Sequence, residues 1–260
     1  MRWTFCALFL LTASVVLAQT EQRPSTAEVP DDTNPTKAVL FSIRDEYYNF
    51  RSDSWTNLVT FRADQAILKR SKLKPKGIIL RGDLPIASGH RSETTQTGLG
   101  DLYFQSLLFP HLRKTFVFAA GTGLALPTAT DSFLGFGKWQ IAPLAVPVWF
   151  FPPRRGFMEG YFLVKFQDFY SFAGKSNRPD IHYFLVTPIV QYRINRKNWI
   201  LLDTEMKTNW LADNRTSFRS GIQLGRMFSP KFGFWIKPEI PWGNNREADW
   251  ILKFTLILAR

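Results

Sequence analysis

The chain has 260 residues and a formal net charge of +12, and 15% of its residues are aromatic. This length fits a single domain. Nucleic-acid binders also carry a positive balance, but here the basic residues cluster between strand-like segments and have no aromatic stacking platforms among them. The clusters are Lys69–Lys76, Arg113-Lys114, Arg154-Arg155 and Arg196-Lys197. We interpret them as solvated turns and exclude nucleic acid as a partner.

Residues 1–18 have the pattern of a cleaved secretory signal peptide. Arg2 supplies a positive start, Phe5–Leu17 is an apolar stretch, and Ala18 ends a small-residue cleavage site. The stretch is shorter than the roughly 20 residues that a membrane-spanning helix needs. The sequence therefore predicts export and a mature chain that begins at Gln19. Cys6 is the single cysteine and leaves with the signal, so the mature chain has no disulfide and no thiol nucleophile.

Residues 19–37 are polar and are interrupted by Pro24, Pro30 and Pro35. Such a segment has too little apolar surface to fold, and we interpret it as a flexible leader. Residues 38–260 form the predicted folded domain. Charged residues interrupt every apolar run in this domain, so the sequence predicts no membrane-spanning helix there.

The folded domain shows a two-residue periodicity instead of a helical one. In Ile200–Trp210, for example, Leu202 and Met206 share one face, whereas Asp203 and Glu205 share the other. Twelve segments are strand candidates: 39–49, 57–67, 77–87, 99–109, 115–126, 138–150, 157–171, 181–193, 199–210, 216–228, 232–241 and 249–259. Segments 39–49 and 138–150 alternate poorly, so ten strands stay an alternative.

A soluble β-sandwich and a transmembrane β-barrel both produce this alternation. Tryptophans near the strand ends favour the barrel, because membrane barrels carry aromatic girdles there. These residues are Trp55, Trp139, Trp149, Trp199, Trp210, Trp242 and Trp250. The sequence therefore predicts an all-β fold, a transmembrane antiparallel up-and-down β-barrel of about twelve strands.

The connections between the predicted strands support the same fold. An even strand count returns both termini to one side of the barrel. On that side most connections are short and basic, whereas Ser88–Gly98 and Pro127–Gly137 on the other side are longer loops. Three prolines, Pro143, Pro147 and Pro188, fall inside predicted strands, where β-bulges would accommodate them.

The polar face of the strands assigns charged side chains to the lumen. The set comprises Arg44, Glu46, Arg62, Asp64, Asp101, Glu159, Lys165, Asp203, Glu205, Lys207, Arg219, Lys237, Glu239 and Lys253. Positive and negative residues are about equally frequent, which argues against a strongly ion-selective pore. Two interpretations stay open: the side chains pair and fill a small barrel, or they line a narrow polar channel.

Several motifs resemble a family of Gram-negative outer-membrane barrels. Gly98-Leu99-Gly100-Asp101 is similar to a G-x-G-D strand opening of that family. Its most recognisable stretch is matched by Pro127, Thr128, Thr130, Asp131, Gly135, Gly137, Lys138 and Trp139. Further matches are Ser171–Gly174, Arg178, Asp180, Pro188 and Asn209-Trp210, so the resemblance spans residues 98–258.

Members of this family are labelled as transporters or as MetA-pathway phenol-degradation proteins, and some are mislabelled neuromedin U. The resemblance implies a barrel in the outer membrane and a transport function. It implies no catalytic residues and no particular substrate.

His90-Arg91-Ser92 is the segment closest to a catalytic arrangement, because outer-membrane lipid hydrolases can pair a histidine with a serine. No Asn or Asp follows closely to orient the histidine, and we interpret the segment as a solvated loop. His111 and His182 are isolated and lack metal-ligand spacing. We therefore assign no catalytic residue, no metal and no cofactor.

We expect this chain to be an outer-membrane transporter or channel for small solutes, hydrophobic or aromatic ones included, and not an enzyme. The alternatives are a lipid-modifying outer-membrane enzyme and a structural barrel with a plugged lumen. The expected partners are outer-membrane lipid, an unidentified small solute and, during biogenesis, the barrel-assembly machinery.

Overall fold

A computed structural model describes residues 39–50, 54–68, 72, 75–91, 94–153 and 158–259. The predicted signal peptide (1–18) and leader (19–37) lie outside the described residues, as does Ser92. No helix in the described part of the chain is long and apolar enough to cross a membrane.

Antiparallel strands make up the whole fold, which confirms the all-β prediction. They are β1 Val39–Phe50, β2 Ser54–Leu68, β3 Ile78–Arg91, β4 Thr94–Leu99, β5 Leu102–Leu112, β6 Phe116–Leu126, β7 Lys138–Phe151, β8 Gly160–Gly174, β9 His182–Arg193, β10 Asn198–Asn209, β11 Arg215–Ser229, β12 Phe232–Trp242 and β13 Trp250–Ala259. Each strand pairs with its neighbours in sequence, except that β4 and β5 both pair with β3 and not with each other; β1 also pairs with β13. The sheet is therefore closed into a barrel, and among the described strands only β4 has a single strand partner, β3.

The thirteen described strands occupy twelve positions around the barrel, because β4 and β5 follow one another along the same position. Both pair with β3: Ile86 lies opposite Leu99, and Asp83 lies opposite Tyr103. One extra residue on the β4–β5 side makes a bulge at Gly100-Asp101, where the Gly100 amide donates to the Pro85 carbonyl over 2.9 Å. The predicted twelve-stranded barrel is confirmed.

The predicted loop Ser88–Gly98 is wrong. Its described residues continue β3 to Arg91 and begin β4 at Thr94, so this part of the chain extends the barrel wall. Cross-strand hydroxyl contacts contribute, since the Ser88 and Thr97 oxygens lie 2.9 Å apart. Ser, Thr and Gly in this segment indicated a loop, but they also fit a polar hairpin above an apolar band.

The outer face of the barrel is apolar. Its exposed side chains include Phe41, Phe61, Leu80, Leu84, Phe104, Leu124, Ile141, Phe166, Leu202, Ile222, Leu224, Ile236, Leu252 and Leu258. In water this surface would be a large liability, whereas in a bilayer it is the face that a transmembrane barrel presents to acyl chains. The strands are therefore oriented with their apolar residues outward, as the alternation predicted.

The strand prolines are accommodated without bulges of their own. Through Pro143 and Pro147 the residue pairs between β7 and β6 are continuous, and only the pairs with β8 are interrupted. Likewise Pro188 keeps its partner Val164 on β8, while the pairs with β10 are interrupted there. Each proline thus removes a bond from one seam only, and the predicted bulges at these prolines are wrong.

The barrel has two ends that differ in their connections. Val39 and Ala259 lie at the end that we call the terminal end, and Leu126, Lys138 and Gly174 lie at the opposite end, the loop end. Residues 113–115 and 230–231 make tight connections at the terminal end, whereas residues 127–137 form a long connection at the loop end.

The interior at the terminal end is an apolar layer. One cluster contains Phe109, Val148 and Leu163 among its buried residues, and a second contains Leu40, Trp199, Met227 and Ile257. Phe109 and Val148 have no solvent exposure, and Trp199 and Met227 have 1% each. We call these two clusters the terminal apolar layer. They explain why the segment 138–150 alternates poorly: its inward and outward faces are both apolar.

Trp199 corrects one sequence prediction, because it is inside the barrel and not in an outer girdle. By alternation it shares its face with Leu201 and Asp203. Its partner across the seam is Gly225, where an added Cβ would lie 2.0 Å from the indole ring. Only glycine leaves space for the ring at that position.

Candidate functional site

A cavity of about 460 Å³ lies inside the barrel. Its lining includes Leu144, Leu163, Ile189 and Ile257, which belong to the terminal apolar layer or lie against it. The rest of its wall is polar and divides into two halves. Strands β1–β3 and β10–β13 contribute a charged half, and strands β5–β9 contribute mainly amides, hydroxyls and aliphatic groups.

A continuous ion-pair network occupies the charged half. Glu239 is its centre: Lys237 Nζ lies 2.6 Å and Lys253 Nζ 3.1 Å from Oε1, and Arg219 Nε lies 3.6 Å from Oε2. Lys253 also approaches Glu46 at 3.7 Å, and Arg219 pairs with Glu205 at 2.9 Å.

Further contacts extend the network at both sides. Arg44 pairs with Glu46 at 3.3 Å, and the Tyr48 hydroxyl donates to the same carboxylate over 2.5 Å. Lys237 also pairs with Asp203. The network thus joins side chains of β1, β10, β11, β12 and β13 and holds them against one wall.

The backbone of β11 makes space for this network at Gly221. A Cβ there would lie 2.7 Å from Lys237 Cε and 2.8 Å from Glu239 Cγ. Any side chain at Gly221 would therefore displace the central ion pairs.

Two bidentate pairs between β2 and β3 continue the charged half. Arg62 Nε and Nη2 each lie 2.7 Å from an Asp83 oxygen, and Arg81 contacts Asp64 at 2.7 and 3.1 Å. In each case the two residues are direct register partners. This crossed arrangement neutralises both arginines at the cavity wall.

The other half of the wall carries hydrogen-bonded neutral groups. Gln167 donates to the Tyr103 hydroxyl over 2.8 Å, and that hydroxyl donates to Gln105 over 3.1 Å. Tyr161 donates to Gln191 over 3.0 Å. Lys165 is the charged member of this half and lies beside these groups on β8.

The predicted lumen set separates into two groups in the structure. Most of its members line the cavity or pair with residues that do: Arg44, Glu46, Arg62, Asp64, Lys165, Asp203, Glu205, Arg219, Lys237, Glu239 and Lys253. Lys207 lies toward the loop end beside a smaller cavity and pairs with Glu247 at 2.8 Å. Glu159 pairs with Arg193 next to the terminal-end connection of β7 and β8.

Asp101 organises the loop 127–137. Its Oδ1 accepts from the Ala129 amide over 3.1 Å, and its Oδ2 accepts from the Phe136 amide over 2.6 Å. Thr128 accepts from the Leu102 amide over 2.9 Å and donates to the Gly100 carbonyl over 3.1 Å. The bulge at Gly100-Asp101 thus presents a carboxylate and a carbonyl to the loop.

Other motif residues complete the same loop structure. Arg178 donates to the Ser132 and Gly135 carbonyls over 2.7 and 2.6 Å, and Lys138 pairs with Asp180 at 2.8 Å. Gly137 has a φ of 68°, which favours glycine.

The remaining motif residues have simpler positions. Pro127 begins the connection. The Thr130 amide donates to the Leu99 carbonyl over 3.0 Å. Asp131 accepts from the Phe133 amide over 2.8 Å. Trp139 is exposed on the outer face.

Sequence reasoning missed the cavity residues that carry no charge, and also Arg81 and Asp83. Arg81 and Asp83 repeat the Arg-x-Asp spacing of Arg62 and Asp64 in the same order, and antiparallel pairing then places each arginine opposite an aspartate, which is a usable signal for paired strands. Tyr103, Gln167 and Thr187 give no such signal, because neutral polar residues are common on either face.

The histidines show no catalytic or metal arrangement among the described residues. His90 lies in β3, with its ring 6.1 Å from that of Trp55 and its Nδ1 2.9 Å from the Thr95 hydroxyl. His182 lies 3.4 Å from Asp168 at the loop end. No group of three or more potential metal ligands occurs in the described ranges.

A closed twelve-stranded barrel with an apolar exterior and a charged interior belongs to the class of transmembrane β-barrels. Known structures of this fold include an outer membrane channel from Pseudomonas putida F1, which aligns with a TM-score of 0.68 and 11% identity over 93% of this chain and 100% of its own. The KdgM porin aligns with a TM-score of 0.55 and 8% identity over 85% and 99%. The NanC porin gives 0.54 and 11% over 85% and 99%.

These neighbours are outer-membrane porins and channels, and the fold is the one they share. No known family profile matches the chain, and no curated protein matches it. The similarity therefore rests on architecture, at sequence identities that carry no substrate information.

Proposed function

We propose that this protein is an outer-membrane channel for small solutes, with its terminal end toward the periplasm. The observation that carries the proposal is the cavity of about 460 Å³ inside a closed transmembrane barrel. Cavities of roughly 300–1,000 Å³ accommodate small organic molecules. Two tight connections, residues 113–115 and 230–231, lie at the terminal end and the longest connection, residues 127–137, lies at the other end, which supports the usual orientation of bacterial barrels.

The arrangement of the charged side chains favours a channel over a purely structural barrel. If ion pairs served to fill the lumen, they would bridge opposite walls. Instead, Arg219, Lys237, Glu239 and Lys253 pair along one wall and leave the cavity beside them. This arrangement supports a polar path for solutes.

We propose that the resting channel is closed at the terminal apolar layer. Phe109, Val148, Trp199 and Met227 are shielded from solvent between the cavity and the terminal end. Apolar constrictions of this kind gate channels by excluding water. We propose that conduction requires these side chains to move apart. A more specific form of this proposal is that the channel transports hydrophobic or aromatic solutes. This form agrees with the phenol-degradation label of the family that the motifs resemble.

Planar-bilayer recording on refolded protein that begins at Gln19 tests the proposal. We expect rare, discrete single-channel steps. These steps should become frequent when large side chains of the terminal apolar layer are replaced by smaller ones. A silent bilayer together with hydrolysis of added phospholipid would identify a lipid-modifying enzyme instead. If neither conductance nor hydrolysis is detected, even after large side chains of the terminal apolar layer are replaced by smaller ones, the protein is a structural barrel.

A further inference from the structure

Lys165 differs from every other charged residue that lines the cavity. The other lining charges, on β1–β3 and β10–β13, each take part in an ion pair. Lys165 faces the cavity and makes no salt bridge and no hydrogen bond with a described residue. The carboxylate that acts on it electrostatically, Glu205, is already in contact with Arg219. An ammonium group in a partly enclosed site is costly without a counter-charge in direct contact. The cavity therefore has one cation left to bind an anion.

A second unsatisfied group lies directly beside it. Thr187 is the register partner of Lys165 on β9 and also lines the cavity. It is only 4% exposed, and its hydroxyl has no hydrogen-bond partner among the described residues. Facing residues of paired antiparallel strands have Cβ atoms about 4.5–5.5 Å apart, so one carboxylate can reach both side chains. The Thr187 hydroxyl is buried in the structure, so this contact requires rotation about χ1 of Thr187.

The surroundings of this pair are apolar toward the terminal end. On β8, Leu163 precedes Lys165 on the same face, and its partner on β9 is Ile189. On β7, the pairs Leu144–Gln167 and Val148–Leu163 place Val146 beside Lys165. Leu163, Ile189 and Val146 all line the cavity. An anion held at Lys165 therefore has an aliphatic surface next to it.

We propose that the cavity binds an amphipathic monocarboxylate, with its carboxylate on Lys165 and Thr187 and its hydrocarbon part against Leu163, Ile189 and Val146. This inference rests on the proposed channel function and names the solute class. The bound hydrocarbon part would lie against the terminal apolar layer, so the solute contacts the side chains that must separate for passage.

Hexanoate is a suitable probe, because acetate has its charge without the chain and hexanamide has its shape without the charge. Binding is measured by equilibrium dialysis of the refolded protein in detergent, with protein-free micelles as the blank. We expect hexanoate to bind more tightly than either comparison compound. Equal binding of hexanoate and hexanamide overturns the proposal, and so does the absence of hexanoate binding.

Variants locate the site. Lys165→Met should weaken hexanoate binding about tenfold or more, the effect of losing one charge-assisted contact, and leave hexanamide unchanged. Thr187→Val, which keeps the side-chain shape, should weaken hexanoate binding about threefold to tenfold. Lys207→Met is the matched control, because Lys207 pairs with Glu247 outside the main cavity. Equal affinities of Lys165→Met and wild type overturn the proposal.

Two further measurements distinguish a misfolded variant, a failure of the proposed binding site and a failure of the proposed channel function. Resistance to unfolding in SDS without heating reports a folded barrel, and Lys165→Gln replaces Lys165→Met if the latter does not fold. Conductance is recorded on the same preparations. A conducting wild type that does not bind hexanoate refutes this site and leaves the channel function standing. Binding with the expected order of variants, in a protein that never conducts, refutes the channel function alone.

Discussion

At the scale of single residues, neighbouring positions of β10 have opposite environments. Leu202 is 47% exposed on the outer face, whereas Asp203 pairs with Lys237 inside. An arginine on the lipid face near the midplane costs about 2–4 kcal/mol. We therefore expect Leu202→Arg to reduce the folded fraction sharply, measured by heat-modifiable migration on gels.

The matched substitution inside the lumen is Asp203→Asn, which should fold nearly normally because Lys237 keeps Glu239 as a partner. If both variants fold equally well, Leu202 does not face lipid. Membrane-dissolved reagents that fail to label Leu202→Cys would contradict the barrel orientation directly.

Gly225 provides a second test at the residue scale. A Cβ at this position would lie 2.0 Å from the Trp199 ring, so Gly225→Ala should lower the free energy of unfolding by about 1–3 kcal/mol. Gly89→Ala is the control, since its nearest contact would be an ordinary 3.7 Å. Unfolding midpoints in guanidinium compare the two. Equal midpoints would show that the indole ring does not occupy the space above Gly225.

Alternation predicts the direction of most side chains from sequence, and Asp203, Lys237, Glu239 and Lys253 illustrate this. It does not predict which charges pair, because pairing depends on the register between strands. Trp199 could have been placed inside by its parity with Asp203. The tendency of tryptophan to lie at membrane interfaces led to the wrong prediction for Trp199.

At the scale of elements, the loop 127–137 depends on one carboxylate. Asp101→Ala removes the acceptor for two backbone amides, and hydrogen bonds to a charged group contribute about 1.5–3 kcal/mol each. We expect faster hydrogen exchange at Ala129 and Phe136 and an unchanged global unfolding midpoint. Asp213→Asn, which removes a charge from an exposed turn and tolerates the φ of 51° there, is the control. Unchanged exchange at both amides would show that Asp101 does not hold the loop.

The terminal apolar layer makes an independent prediction about conductance. Trp199→Ala removes the largest fully buried side chain of the layer and should increase the frequency of channel opening. Trp250→Ala provides the comparison, because Trp250 is 45% exposed on the outer face. If single-channel recordings show no difference between these variants, the layer is not the barrier.

Element boundaries were less predictable than element types. The strand candidate 77–87 ends four residues before β3 does, because residues 88–91 are polar or glycine. Polar hairpin ends and solvated loops have the same composition, and only the pairing between β3 and β4 distinguishes them. The bulge at Gly100-Asp101 likewise could not be predicted from the alternation of apolar and polar residues.

At the scale of the whole molecule, we expect the mature chain to begin at Gln19 and to fractionate with the outer membrane. The signal-like pattern of residues 1–18 and the apolar exterior of the barrel motivate this prediction. N-terminal sequencing of the membrane-extracted protein, with fractionation markers as controls, is the measurement. Recovery of Met1, or of the protein in the soluble periplasm, would contradict it.

The seam between β1 and β13 has a consequence for how the barrel forms. These strands are furthest apart in the chain, so their pairing is entropically the most expensive contact and completes the ring late. Glu46 and Lys253 are direct partners across this seam. A slip by one residue would turn a whole strand over and expose its charges to acyl chains. We therefore expect the charged inner face of β1 and β13 to favour the correct register when the barrel closes.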